Sequence, residues 1–228
     1  SLHGGFELTS GQPSFVFRFS LEAGTAVRIE ILSGGRTLAE DTVDGRNRRE
    51  ALLRAADYAV RRTTGDPGFF AGRLAFVSRR SGSREIYVSD LLFEDIQQLT
   101  RDGSTAILPA WSRDGQRLLY TGYHRSGFPD IFAIDVASGQ REPFATFRGT
   151  NSGAAFSPDG RQVAMILSTA GNAELYVTSA TGGGDPRRLT DNQSVESGPT
   201  FSADGRWIAV TSDRLGAPQL FQLPANGG

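Results

Sequence analysis

The sequence predicts a mainly β fold, in which β-propeller blades follow a small α+β domain. Two observations predict the propeller: a turn motif that recurs every 45 residues, and short apolar strands around each copy. The motif, Ser-X-Asp-Gly, begins at Ser112, Ser157 and Ser202. Short strands and turn residues repeating at this period are typical of propeller blades. Helical repeats of similar length would need much longer amphipathic segments.

Each repeat is expected to contain four strands. In the copy that starts near residue 109 they are an inner strand at 109–112, a second at 118–121, a third at 131–135 and an outer strand near 143–146. The Asp-Gly pair between the first two strands supplies the positive φ angles that a tight hairpin requires.

The order of the strands predicts an incomplete propeller of about three and a half blades in residues 71–228. The first copy begins with its second strand at Arg73, and the last copy ends with its third strand at Leu223. Closure of four blades among themselves remains an alternative. Because unpaired strand edges favour pairing with other chains, we expect the chain to self-associate.

Residues 1–70 lack the repeat and predict a partial α+β N-terminal domain. Three short strands precede a helix whose apolar stripe begins at Leu52. Asn47 is the expected N-cap, and Glu50, three residues later, would complete a capping box. Gly65 is expected to end the helix.

The composition argues against several classes of protein. Lys and Arg number 24 against 25 Asp and Glu, so no basic excess indicates nucleic-acid binding. Cysteine is absent, which excludes disulfides, thiolate nucleophiles and Cys-ligated zinc. No apolar run approaches the ~18 residues that a membrane-spanning helix needs.

The motifs of catalysis and ligation are also missing. The two histidines are His3 and His124, and we interpret His124 as a solvated loop residue. No G-x-S-x-G nucleophile motif occurs, and no His/Asp/Glu cluster has metal-ligand spacing. The carboxylates of the Ser-X-Asp-Gly motif recur in every blade, which indicates a turn rather than one asymmetric active site. We therefore expect no catalytic residue, no metal and no cofactor.

Binding is the function class that remains, and the candidate site is a set of loops. The loops that lead into the inner strands gather at one mouth of a propeller channel. They correspond to residues 101–108, 147–153 and 191–198. Leu108, which ends the first of them, is a candidate partner-binding residue. Asn151 and Glu196 are also candidates, because their polar side chains are able to bond a partner's backbone.

Three segments carry a resemblance to a known family. They are the junction at residues 64–70, the Asn-Ser-Gly-Ala-Ala-Phe-Ser-Pro-Asp-Gly run at 151–160, and Thr-Ser-Asp-Arg at 211–214. With the Ser-X-Asp-Gly blades, they resemble the TolB family, periplasmic propeller proteins of the Tol–Pal cell-envelope system. The resemblance implies a six-bladed propeller, a periplasmic location and a non-catalytic role in outer-membrane integrity and cell division.

The resemblance also implies a partner and contact residues. TolB-like proteins receive Pal, the peptidoglycan-associated lipoprotein, at the channel mouth. Carried across position by position, the family's Pal-contact sites fall on Thr150, Gly153 and Ser197. The family typically has His at the first of these positions and Ala at the second. The segment that the family uses to contact TolA is expected to be absent from this chain.

Two other functions remain open from the residues alone. Propellers that gate substrate entry in prolyl-oligopeptidase-like peptidases carry the same turn motif. A glycan-binding or protein-binding propeller outside the Tol system is the second alternative.

Overall fold

The computed structural model describes residues 14–227, and these residues form five antiparallel sheets and one long helix. His3 and the start of the expected N-terminal domain lie outside the described residues. Contacts divide the chain into two compact units. The first contains residues up to 74 with 90–94, and the second contains residues 75–89 and 95–228. The division at residue 70 stays a prediction.

The first unit packs one helix against a three-stranded sheet. Its elements are β1 (Val16–Leu21), β2 (Val27–Ser33), β3 (Arg36–Val43) and α1 (Arg48–Thr64). Alternate residues of β2 point inward and meet the buried face of α1, which gives a core of Val27, Ile29, Ile31, Ala51, Ala55 and Ala59. Residues four apart share one helix face, so the stripe begins at Ala51, and the expected Leu52 faces solvent.

Helix α1 begins and ends at the residues that the sequence predicts, and only the capping box differs. The Asn47 side chain accepts a hydrogen bond from the Glu50 backbone amide at 2.9 Å. Gly65 has a φ of 82° and donates its amide to Arg61, which ends the helix in a left-handed cap. The capping box is incomplete, because the Glu50 carboxylate accepts from the amide of Arg46. None of the described helices is long and apolar enough to cross a membrane.

Four blades follow along the chain, and apart from Arg73, Leu74 and Asp90 their strands lie in the second unit. The first has β4 (Arg73–Ser78), β5 (Glu85–Asp90) and β6 (Gln97–Gln98), and the second has β7 (Ala106–Trp111), β8 (Arg117–Gly122), β9 (Asp130–Asp135) and β10 (Arg141–Ala145). The third has β11 (Asn151–Phe156), β12 (Gln162–Leu167), β13 (Glu174–Ser179) and β14 (Arg187–Arg188), and the last has β15 (Glu196–Phe201), β16 (Trp207–Ser212) and β17 (Gln219–Pro224).

The blades confirm the predicted mainly β fold with four-stranded repeats. The two middle blades have all four strands in antiparallel order. Among the described residues the first blade has no inner strand and the last has no outer strand, which is the predicted order. Apolar side chains fill the space between neighbouring blades, as where Ile86 and Val88 join Leu118, Tyr120 and Ile134 in one cluster.

The Ser-X-Asp-Gly motif forms the same hydrogen-bonded turn in three blades. In the third blade the Ser157 hydroxyl donates to Asp159 at 2.6 Å and accepts from the Gln162 amide at 2.9 Å. The Asp159 carboxylate also accepts from the Arg161 amide at 3.0 Å. These donors hold the pKa of the Asp159 carboxyl below its usual range, so the motif is structural.

The same turn in the last blade predicts a strongly acidic carboxyl. Hydrogen bonds from the Ser202 hydroxyl, then from the backbone and guanidinium of Arg206, lower the pKa of Asp204 to about 2. The stabilisation is therefore present above the ordinary value of 3.8 and is lost as the pH falls through the lowered pKa. NMR titration should give a midpoint near 2. Ser202→Ala should raise that midpoint, and an unchanged midpoint would contradict the turn geometry.

Open strand edges predict self-association. Among residues 14–227, β4 and β17 are each paired on one side only, and Leu220 of β17 is 79% exposed. We expect light scattering after size-exclusion chromatography to give masses above the monomer as concentration rises. Leu220→Lys should reduce them, because an edge lysine opposes strand pairing. Leu52→Lys, on the exposed side of α1, is the control, and a monomer at every concentration would refute the expectation.

Candidate functional site

Antiparallel pairing places two sets of loops at one edge of each blade. In the second blade Ala106 pairs with Gly122, which pairs in turn with Asp130, so the β8–β9 loop lies beside the start of the inner strand. The next two blades repeat this arrangement. We call this edge the loop face, and it consists of residues 99–105, 123–129, 146–150, 168–173, 189–195 and 213–218.

Backbone hydrogen bonds join neighbouring blades at the loop face. The amide of the first inner-strand residue donates to the carbonyl just before the third strand of the preceding blade. The pairs are Ala106 to Arg84 at 2.8 Å, Asn151 to Pro129 at 3.0 Å, and Glu196 to Ala173 at 2.9 Å. The loops of successive blades therefore lie side by side on one face.

A buried acid at the start of the third strand holds the loop into the next blade. In the first blade the Glu85 carboxylate accepts from the Thr100 hydroxyl at 2.5 Å. It also accepts from the amides of Asp102 and Gly103, each at 2.9 Å. Glu85 is 2% exposed, so these donors replace the water that a carboxylate would otherwise bind.

Glu174 has the same role in the third blade. Its carboxylate accepts from the Asn192 amide and from Arg188, both at 2.8 Å. Burial opposes its ionisation, but hydrogen bonds from Thr190, Asn192 and Arg188 outweigh burial and lower the pKa of the Glu174 carboxyl. The charged form therefore stabilises the β14–β15 loop.

Asn151 holds the β10–β11 loop from inside the protein. Its amide nitrogen donates to the Phe147 carbonyl at 2.7 Å and to Asp130 at 3.1 Å, and its oxygen accepts from the Phe147 amide at 2.9 Å. Asn151 has no exposed surface, so we correct the expectation that its side chain would bond a partner. Burial, the largest effect, raises the pKa of the Asp130 carboxyl despite the bond from Asn151.

Glu196 requires the same correction. Its side chain is buried and accepts from Arg214 at 2.7 Å, from Asn192 at 2.9 Å and from Ser212 at 3.2 Å. The Arg214 guanidinium also lies 4.5 Å from the centre of the Phe221 ring. The Glu196 carboxylate therefore joins the β14–β15 and β16–β17 loops, and is not presented to a partner.

The three positions carried over from the resemblance lie on two adjacent inner strands and the loop that leads into the first of them. Thr150 is half-buried and its amide donates to the Ser168 hydroxyl at 2.7 Å, while Ser197 is exposed. Gly153 is buried, and a Cβ added to it would lie 3.3 Å from the ring of Pro199 in the next blade. The fold therefore brings these positions into one region, and their role in binding stays a prediction.

Leu108 occupies an unusual backbone conformation. Each inner strand has an irregularity in its pairing, between residues 107 and 110, 152 and 155, and 197 and 200. At these points φ is 55° for Leu108, 65° for Gly153 and 58° for Gly198. Glycine adopts this region freely, whereas for a residue with a Cβ this conformation costs about 1–2 kcal/mol of folding free energy. Leu108 is nevertheless 49% exposed.

The loop face also exposes apolar side chains that sequence reasoning missed. They are Phe128 at 69%, Leu215 at 68%, Val195 at 53% and Phe147 at 39% exposure. All four lie in turns between strands, where sequence patterns predict solvated polar residues. In the sequence, each of these residues follows a Gly or stands beside a charged residue. That feature does not by itself indicate that the side chain is exposed.

His124 lies exposed in a turn, as expected, and its side chain also contacts two other residues. Its Nδ1 lies 3.1 Å from the Asp102 carboxylate, and its ring centre is 4.4 Å from that of Phe132. Asp102 also accepts from Arg141, which donates to the Tyr120 hydroxyl at 3.2 Å. Burial raises the pKa of Tyr120, and the bond from Arg141 offsets only part of that effect. His124 is therefore an exposed residue whose side chain links two loops.

The repeated blades and adjoining inner strands define a β-propeller domain. A family model described as the TolB beta propeller domain matches residues 60–228. The chain belongs to the TolB β-propeller family.

Relatives and solved structures agree with this assignment. The Tol-Pal system protein TolB of Anaeromyxobacter dehalogenans is 35% identical over 178 residues, covering 78% of this chain and 38% of that protein. Its Bordetella pertussis counterpart is 38% identical over 148 residues, covering 65% of this chain and 34% of that protein. The chain thus spans little more than a third of the length of these relatives.

Structural comparison supports the same family. The crystal structure of TolB from Acinetobacter baumannii has a TM-score of 0.75 and 25% identity, covering 94% of this chain and 56% of that chain. A puromycin-hydrolyzing peptidase of Mycobacterium tuberculosis has a TM-score of 0.53 at 16% identity, covering 93% of this chain and 37% of that chain. At that identity the likeness shows the fold alone.

The pKa of the buried Glu174 carboxyl is lowered and that of the buried Asp130 carboxyl is raised. Removing the two charges should therefore change the free energy of unfolding in opposite directions. Glu174→Gln should lower the free energy of unfolding by about 1–2 kcal/mol at neutral pH, because it removes charged hydrogen bonds. Asp130→Asn should raise it, because burial penalises the charge. The stabilisation by the Glu174 charge is present above pH 4.5, the ordinary pKa of the group, and is lost as the pH falls through the lowered pKa. The Asp130 penalty disappears below the ordinary value of 3.8.

Urea unfolding of both variants at about pH 7 and about pH 3.5 measures these effects. Both differences from the wild type should shrink at the lower pH. Variants that change stability in the same direction at neutral pH would contradict the assigned roles of the two acids.

Proposed function

We propose that this chain is the propeller part of a periplasmic, non-catalytic Tol–Pal component that binds the lipoprotein Pal at its loop face. Membership of the TolB propeller family supports the Tol–Pal assignment, because its relatives are named as proteins of that system. By this proposal the chain acts by equilibrium binding, and contributes in that way to outer-membrane integrity and cell division.

The observation that carries the proposal is the rigid support of the loop face. Internal carboxylates and amides already hold its loops, as Glu85, Glu174 and Asn151 do in three blades. A partner that docks there meets a surface that loses little conformational freedom on binding. Such preorganisation increases affinity without requiring a larger contact area.

The surface chemistry of the loop face supports a protein partner. Apolar side chains such as Phe128, Val195 and Leu215 project from loops that also carry charged residues. Exposed apolar groups within a polar rim are typical of protein–protein interfaces. Of the positions carried over from the resemblance, Ser197 is exposed at the start of its inner strand, where a partner can reach it.

The histidine geometry favours binding over hydrolysis by this chain. Within residues 14–227, His124 contacts Asp102 and Phe132 and has no serine within hydrogen-bond distance. A serine nucleophile needs a base in that position. The peptidase alternative would require a catalytic domain elsewhere in the gene, and peptidase assays on the complete gene product test it directly.

Calorimetry with the peptidoglycan-binding domain of a Pal-type lipoprotein tests the proposal. The protein expressed from its own gene should bind that domain with a micromolar or tighter dissociation constant. Ser197→Arg should weaken binding about tenfold or more, because it inserts a long charged side chain between the two surfaces. Its unfolding midpoint should stay within a degree or two of the wild type, because Ser197 is exposed.

Gln140→Arg is the matched control. Gln140 is exposed in the β9–β10 turn, at the blade edge opposite the loop face, and the substitution adds the same charge. Binding equal to the wild type is expected. Absence of binding by the wild-type protein at micromolar concentrations would refute the proposal, and equal losses in both variants would place the contact elsewhere.

A further inference from the structure

We infer that Leu108 is the apolar anchor of the loop face, a specificity-determining residue that inserts into an apolar depression on the docked partner. This inference rests on the proposed function, because it concerns the same surface and partner. It goes further by identifying one side chain as the main contact and its chemistry as purely apolar.

The first argument is the comparison among three equivalent positions. Leu108, Gly153 and Gly198 are spaced 45 residues apart and share one irregularity of the inner strand. All three have φ between 55° and 65°. Two blades meet this backbone requirement with glycine, so the turn itself does not call for a leucine side chain.

The second argument is that the conformation disfavours leucine. A residue with a Cβ is strained at positive φ. Pro109 follows directly, and a proline further restricts the residue before it to extended conformations. Backbone strain of this kind concentrates at functional sites, where the surrounding structure maintains it.

The third argument is that Leu108 contributes little to the core. It is 49% exposed and belongs to none of the described apolar clusters, although its neighbours Ala106 and Trp111 pack against one of them. An apolar side chain that is strained and half in water has no evident benefit for folding. Its position, two residues from the inter-blade bond at Ala106, places it close to the loop face.

The chemistry of the partner surface follows from the side chain. Leucine offers no hydrogen bond, so a complementary surface buries it among apolar groups. Val195, Phe128 and Leu215 are also exposed on the loop face and extend the same apolar character. In protein interfaces a few residues carry most of the binding energy, and the contacts around them mainly exclude water.

Four variants measured by calorimetry and by urea unfolding test the inference, with the Pal-type domain as the ligand. Leu108→Gly should weaken binding about tenfold or more while the unfolding midpoint does not fall, because glycine relieves the strain. Leu108→Ala should weaken binding similarly. Leu108→Met should retain wild-type binding, because it keeps an apolar side chain of similar volume.

Leu38→Ala is the matched control. Leu38 is also 49% exposed, but it lies in strand β3 of the first unit, at a bulge in the pairing with β2 that does not require a positive φ. Its loss should leave binding unchanged. Wild-type affinity in Leu108→Gly would overturn the inference and leave the proposed function intact. Unfolding of Leu108→Gly at a lower urea concentration than the wild type would also overturn it, because the Leu108 side chain would then stabilise the fold. Absence of binding by the wild type would instead refute the proposed function.

Discussion

The hydrogen bond between the first residue of each inner strand and the preceding blade is the constraint on which the loop face depends. It recurs at Ala106, Asn151 and Glu196, and it fixes where each inner strand begins relative to the third strand of the preceding blade. Because the strands that follow are paired in register, every later turn of a blade takes its position from this bond. The loops of three blades therefore end in one plane without a direct contact among all of them.

Buried charge maintains this arrangement. Glu85 and Glu174 each give up water and receive hydrogen bonds from the loop that leads into the next blade. A buried carboxylate is costly without hydrogen-bond donors, so movement of the loop would leave the charge with fewer of them. Asn151 achieves the same result with an uncharged amide beside Asp130. The loop face is therefore rigid because of groups that a partner never touches.

Sequence reasoning proposed a binding site at these loops but misjudged the burial of individual residues in them. Asn151 and Glu196 are polar residues in loops, and polarity alone suggested contact with a partner. Their burial results from neighbouring blades closing over them, which spacing along the chain does not reveal. Phe128 and Leu215 show the reverse, since apolar residues in turns are normally covered, and here they are exposed. His124 is exposed, as expected, but its contact with Asp102 was not foreseen, because the two residues lie in different loops.

The sequence by itself determined the repeat, the order of the strands and the hydrogen-bonded turns. These features depend on residues close together in the chain, as Ser157 and Asp159 do, so local chemistry is sufficient to specify them. The α1 cap at Asn47 is of the same kind. The tertiary structure alone decided which loop residues are buried, which acids are stabilised, and that Leu108 shares its backbone conformation with two glycines. Those properties depend on contacts between blades some 45 residues apart, where packing rather than local preference sets the environment of each side chain.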